Sequence, residues 1–343
     1  MNHVKRFIAA GAILASSAIG AWAQDTTLRI SSWLPPAHHL NTVVFPGLIS
    51  MMEEATDGAV SGEIVFGLAP PPAQMDLVLD GAADIAFIFH GYQPGRYVST
   101  RLIELPGYEG NAEAASVAYW RVFEEHLASL NEHRGVKVIS VQTHGPGQIH
   151  AVGDVTSLAD LDGLKTRIGG GIAGDVGAAL GVVGINVPAP RVYETLDSGA
   201  ADAVAMDVGS RLGFRLNEVT STLFEIPGGF YRGSFAIVLS QEAFDALPED
   251  VQSALDAEVF GEPLSRMSGA AWDATDVAAY EATRAADGAK VVTASAEDVA
   301  AFEAISMAVR EKTLAGIAEK GVDAQAAYDM VVEEMANVMA EGS

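Results

Sequence analysis

Residues 77–87 read LVLDGAADIAF, and residues 194–206 read ETLDSGAADAVAM. In each stretch an apolar, helix-spaced run closes on a glycine, Gly81 or Gly199, and Ala-Ala-Asp leads into an apolar strand. Glycine suits the left-handed position that ends a helix. Such joints recur throughout α/β proteins. Two copies, one in each half of the chain, also fit two similarly built lobes with a cleft between them, where ligand pockets tend to form. Upstream, TTLRISSWLPP (26–36) alternates as a strand and stops at Pro35 and Pro36. TVVFPGLISMMEEAT (42–56) is spaced as a helix and GAVSGEIVFG (58–67) as a strand. The order β-α-β-α-β predicts an α/β fold with a largely parallel sheet and crossover helices.

Between the two copies, GVKVISVQTHGPGQIHAVG (135–153) is a strand interrupted at Gly145, Pro146 and Gly147, which suits a crossing between lobes. After the second copy, GGFYRGSFAIVLS (228–240) resembles a return strand. LPEDVQSALDAEVF (247–260) begins a helix with Pro248 in its first turn, and Gly261 and Pro263 are expected to kink or break it. Helices are expected around 296–319 and 323–340. The expected division is 24–145 with a return segment at 235–275 for the first lobe, and 146–234 with C-terminal helices at 276–343 for the second.

The 343 residues include no cysteine, and 45 acidic against 20 basic side chains leave a net charge of −25. That balance argues against nucleic acid, whose binding depends on neutralising phosphates. MNHVKR is a basic start, FIAAGAILASSAIGAW is short and apolar, and Ala-Trp-Ala at 21–23 matches a signal peptidase site. A secretory signal over 1–23, cleaved after Ala23, is the reading; the run is short of the roughly 20 residues that span a bilayer.

In DGLKTRIGGG (162–171), Lys165 and Arg167 share one strand face, and Leu164, Thr166 and Ile168 the other. Arg167 stands near the strand's C-terminal end, the edge where open α/β sheets hold ligands. A helix beginning near Ile172 would offer free N–H groups to an anion. A guanidinium there can hold a carboxylate through two parallel hydrogen bonds, and it can equally be a solvated surface charge. Gly169, Gly171 and Gly174 also spell G-x-G-x-x-G, the alternative reading of an exported NAD(P)-dependent oxidoreductase. Against it, the preceding strand carries two charges instead of a buried apolar run. Ser210 and Ser234 lack a nucleophile-elbow context.

The order SSWLPPAHH, LVLDGAADIAF, GYQPGRY with IELPGYEG, LADLDGLKTRIGG, PRVYETLDSGAADAV and GSFAIVLSQEAFDALPEDVQ resembles the solute-binding proteins of tripartite ATP-independent periplasmic (TRAP) transporters. The resemblance runs over nearly all the chain after residue 23. It implies a periplasmic-binding-protein-like architecture of two α/β lobes joined by hinge strands and a long helix. It implies no catalysis and no cofactor, and closure on a small organic acid whose carboxylate pairs with Arg167. It also implies delivery to TRAP membrane permease subunits in the periplasm. The chain departs from the family's pattern at His144 and Gln148, where a further polar ligand contact is usual, and at Met206 and Asp207, where a polar or aromatic pocket residue is usual. A carboxylate at 207 beside an anionic ligand is repulsive unless it accepts a hydrogen bond from a ligand hydroxyl or amine.

Further candidates for the cleft are Trp33 at the end of the first strand, His38, the group Phe89, His90 and Tyr92 after the IAFIF strand, and Phe230 with Tyr231 before the return strand. Trp33 fits ordinary core packing equally well. The His38–His39 pair has no companion at a metal-binding spacing, so no metal is expected. Arg232 is expected at the surface.

Overall fold

The computed structural model describes residues 26–341; the expected signal segment at 1–23 lies outside them. In chain order the strands are β1 (Thr26–Ser32), β2 (Val60–Phe66), β3 (Ile85–Phe89), β4 (Val136–Thr143), β5 (Gln148–Ala151), β6 (Lys165–Ile168), β7 (Val183–Asn186), β8 (Ala203–Met206), β9 (Thr222–Glu225), β10 (Ser234–Ser240) and β11 (Lys290–Thr293). The helices are α1 (Phe45–Ala55), α2 (Gln74–Leu79), α3 (Ala112–Val122), α4 (Ile172–Ala179), α5 (Val192–Asp197), α6 (Ser210–Gly213), α7 (Gln241–Asp245), α8 (Glu249–Glu258), α9 (Glu262–Ala285), α10 (Ala296–Ala318) and α11 (Ala324–Glu341).

The strands form two sheets, ordered β2-β1-β3-β10-β4 and β11-β9-β5-β8-β6-β7. β1 pairs in parallel with both β2 and β3, as βαβ crossovers require. β10 enters antiparallel between β3 and β4, with Phe235 opposite Phe89. In the second sheet β6 pairs in parallel with β7 and β8, and β5 runs antiparallel between β8 and β9. The two repeated joints are α2 to β3 and α5 to β8. Gly81 and Gly199 take φ of 68° and 70° there, a region any side chain would strain.

The chain passes between the sheets at 144–147, from β4 to β5, and at 226–233, from β9 to β10. These passages pair with each other: Gly147 N–H donates to the Tyr231 carbonyl at 2.8 Å, and Phe230 N–H to that of Gly147 at 2.9 Å. Arg232, in the second passage, is not at the surface as expected. It is fully buried, and its guanidinium donates to the carbonyls of His144 (3.1 Å), Tyr108 (3.4 Å) and Gly110 (2.5 Å). His144 lies in the first passage and Tyr108 and Gly110 in the loop before α3, and a five-donor side chain satisfies carbonyls of both at once.

α8 ends before Gly261, and α9 then runs unbroken with Pro263 in its first turn, so the Gly-Glu-Pro sequence separates two helices and does not kink one. α9 touches β4 of the first sheet and β11 of the second. Its Asp273 caps α3, accepting the N–H groups of Ala112 (2.7 Å) and Glu113 (2.9 Å). α10 lies against α4, whereas α11 packs on α3. The expected grouping of both C-terminal helices with the second lobe therefore does not describe α11: its apolar residues Ala327, Val331 and Met335 are buried with the α3 core.

Candidate functional site

Alternation along β3 and β10 sends rings toward the second sheet. Phe87 and Phe89 of β3 point one way, as does Phe235 of β10. Trp33, just past β1, stacks on Phe87 at 5.7 Å, and its indole N–H donates to the Phe87 carbonyl at 2.8 Å. Phe87 stacks on Phe235 at 5.0 Å, and Phe235 on Trp272 of α9 at 5.7 Å. The four stacked rings floor a cavity of about 440 Å³ of empty space, its open mouth included. Residues of the second sheet's edge cover it: Arg167, Gly169, Ala189, Met206, Asp207, Ser210 and Phe214.

Arg167 enters from the C-terminal end of β6 and is 2% exposed. Its Nε donates to the Val187 carbonyl at 2.9 Å, and Nη2 lies 3.4 Å from the Tyr92 hydroxyl. None of the described carboxylates pairs with it. A buried guanidinium with Nε anchored and its outer fork free of acid is set to take two oxygens of an anion. Tyr92 joins the two halves of the site, because its hydroxyl also accepts the Ala189 N–H at 2.7 Å.

Of the residues expected at the site, Trp33, His38, Phe89, Tyr92, His144, Arg167, Met206, Asp207 and Tyr231 line this one cavity. Three do not. His90 follows Phe89 and so faces the opposite side, where Nδ1 bonds the Ser234 hydroxyl (2.7 Å) and Nε2 the His133 ring (2.8 Å). The Gln148 side chain is taken up by the Ile226 backbone, donating to its carbonyl at 3.1 Å and accepting its N–H at 2.9 Å. Phe230 packs on Phe302 at 5.0 Å, away from the cavity, while its neighbour Tyr231 faces in. Phe87, Phe235, Trp272, Phe214, Ala189 and Ser210 were missed. Phe87 was accessible from the period of two set by Phe89; Trp272 had no local signal, since a helix far along the chain brings it in.

The anion expected at the start of α4 is already present as a side chain. Glu104 Oε2 accepts the Ile172 N–H at 2.7 Å, reaching across from the first half of the molecule. Burial pushes its carboxyl up to about 7, against the lowering effect of that bond. This carboxylate takes the Ile172 N–H, one of the donors at the helix start that a dinucleotide's pyrophosphate would use.

The other ionisable groups at the cavity are held by burial. His38 is pushed down to about 3, and His144 is also lowered, although Asp207 opposes the shift; both rings are neutral at pH 7. Asp207 uses its oxygens on α6, accepting the Ser210 N–H at 2.9 Å and hydroxyl at 2.6 Å. Asp276 behind it is raised well above the usual carboxylate range by burial and then by Asp207. No group of three or more His, Cys, Asp or Glu arranged to hold a metal occurs among the described residues.

Residues 45–316 match the model of the bacterial extracellular solute-binding protein family 7. A crystal structure of a TRAP periplasmic solute-binding protein from Bordetella bronchiseptica, with (R)- and (S)-mandelate bound, is 32% identical. It superposes with a TM-score of 0.88 over 91% of this chain and 99% of that one. A TRAP solute-binding protein from Rhodoferax ferrireducens, in complex with copurified benzoate, shares the fold at 24% identity and a TM-score of 0.85, covering 93% of this chain and 100% of that one. A Comamonas testosteroni protein named outer membrane transporter protein TsaT is 25% identical over 269 residues, 78% of this chain and 79% of that protein.

Proposed function

The chain belongs to the bacterial extracellular solute-binding protein family 7, the solute-binding proteins of TRAP transporters, and from that membership we propose that it captures a small aromatic monocarboxylate between its two sheets and hands it to a membrane permease. The carboxylate sits on the Arg167 fork and the ring on the Trp33–Phe87–Phe235–Trp272 stack. In this reading the chain is exported, its first 23 residues are removed after Ala23, and it works in the periplasm.

One observation carries the reading: a buried arginine without an acidic partner among the described residues opens into a cavity lined by eight aromatic side chains. An unpaired buried charge is costly, so an anion that enters and pairs with it is strongly favoured. Aromatic walls reward a flat apolar body and give an alkyl dicarboxylate no second cation among the cavity residues. The mandelate held by the Bordetella relative has both a carboxylate and a ring.

Isothermal calorimetry of the purified chain with mandelate, phenylacetate, benzoate and malonate tests the reading. Aromatic acids are expected to bind more tightly than malonate. Arg167→Ala is expected to lose about 100-fold or more in affinity while keeping the parental circular dichroism spectrum. Near-parental affinity in a folded Arg167→Ala variant would falsify the assignment.

A further inference from the structure

Tyr92 and Arg167 come from opposite halves of the molecule, and one short loop sets them both. After β7, residues 188–190 read Pro-Ala-Pro, so the Ala189 N–H is the one backbone donor of that stretch. The Val187 carbonyl accepts Arg167 Nε at 2.9 Å, and the Ala189 N–H donates to the Tyr92 hydroxyl at 2.7 Å. The Tyr92 ring is held edge to face by Phe89 at 4.7 Å and Trp33 at 6.1 Å. Arg167 Nη2 is a second donor to the same hydroxyl, at 3.4 Å. A phenol oxygen has two acceptor sites and one proton to give. Both acceptor sites of Tyr92 are taken, and no acceptor for its proton occurs among the described residues. The unspent O–H therefore stands beside the guanidinium fork, in the wall of the same cavity.

We infer that the Tyr92 hydroxyl donates to the ligand's carboxylate, on the oxygen that Arg167 Nη2 holds, and that this bond sets how long the ligand stays. The inference rests on the carboxylate reading of Arg167 and adds the donor that the first half of the molecule contributes. An oxygen about 2.9 Å from Nη2 is within reach of a hydroxyl 3.4 Å from that nitrogen, because the three atoms close a triangle of near hydrogen-bond lengths. A phenol-to-carboxylate bond is charge-assisted, and so stronger than the neutral bond the hydroxyl accepts from Ala189. That accepted bond polarises the O–H and makes it a better donor. The carboxylate is then bonded from both sides of the cavity: by Arg167 at the end of β6 in the second sheet, and by Tyr92 in the turn after β3 of the first. Release has to break the bond that joins the halves, so loss of the hydroxyl acts chiefly on the dissociation rate.

Stopped-flow tryptophan fluorescence with benzoate and mandelate tests this, since Trp33 and Trp272 line the cavity. Tyr92→Phe keeps the ring and removes the oxygen. It should weaken both acids about tenfold or more, mostly through faster dissociation. It also strands the Ala189 N–H, so a second variant separates the two roles. Replacing Tyr92 by 3-fluorotyrosine keeps the hydroxyl but makes it a stronger donor and a poorer acceptor. At about pH 6, where such a phenol keeps its proton, the fluorinated protein should bind both acids about twofold or more tightly than the parental one. A hydroxyl that served only to hold Ala189 would give the reverse, weaker binding. A Tyr92→Phe protein that melts like the parental one and binds within about threefold of it overturns the inference. So does a fluorinated protein that binds no more tightly than the parental one. If the acids bind, depend on Arg167 and are indifferent to Tyr92, this donor alone falls; if the parental protein binds no acid, the carboxylate reading falls with it.

Discussion

Arg167 brings a full charge to a place where water is nearly absent, anchored through Nε on the Val187 carbonyl. Geometry matters as much as charge there. Arg167→Lys keeps the cation but loses the fork and the Nε anchor, so affinity for an aromatic acid should fall at least tenfold by calorimetry. Phe87 is 1% exposed and lies between Trp33 and Phe235 in the ring stack. Phe87→Ala should destabilise the protein by about 3–5 kcal/mol in urea unfolding, through lost burial and the cavity left behind. Arg232 is the opposite case to Arg167, a buried cation with all its work internal. Burial lowers its pKa to about 10, which leaves it charged at neutral pH. Arg232→Ala removes the donor of the Tyr108 and Gly110 carbonyls, while that of His144 keeps the Thr143 hydroxyl at 3.2 Å, and should cost about 2–4 kcal/mol.

At the scale of elements, the strand period decides which residues reach the cavity. Phe87, Phe89 and Tyr231 face in, and their neighbours His90 and Phe230 therefore face out. That period was legible in IAFIF and GGFYRG, although the direction of each strand's faces was not. The start of α4 shows what a local reading misses. The sequence predicts an anion at the Ile172 N–H, and the anion is Glu104, 68 residues away in sequence. Arg101 pairs with Asp175 of the same helix, and Lys312 adds a contact to Asp175 at 3.1 Å. Glu104 titrates near 7 when buried, above its ordinary value, so the folded protein binds this proton more tightly than the unfolded chain does. Its contribution to stability is fully present below about pH 4.5 and is lost as pH rises through 7. Over that window the slope of stability with pH should be more negative in the parental protein than in Glu104→Gln, with a total difference of at most roughly 3 kcal/mol, read from melting temperatures at several pH values.

For the whole molecule, the two sheets are joined by the paired passages at 144–147 and 226–233 and by α9, and the cavity lies between them. Gly229 belongs to this joint. Its φ is +76°, and a Cβ there would stand 2.6 Å from that of Pro146. Gly229→Ala should lower the melting temperature by several degrees, because the strain falls on the crossing segments and not on a surface loop. A ligand that binds only the folded form should raise stability by about 2.7 kcal/mol at 100 times its Kd, an increase Arg167→Ala should abolish.

The sequence alone determined the α/β class, the two glycine-closed joints, the β-α-β-α-β order of the first 90 residues, and the candidate arginine at the end of β6. These are local matters of periodicity, of glycine at left-handed positions and of one family-specific motif. Tertiary structure alone decided that Trp272 completes the ring stack, that Glu104 caps α4, that Arg232 is buried, and that His38 and His144 meet across one indole. Each of these joins residues far apart in the chain, and which of them touch depends on how helices and sheets pack, which no short stretch of sequence encodes.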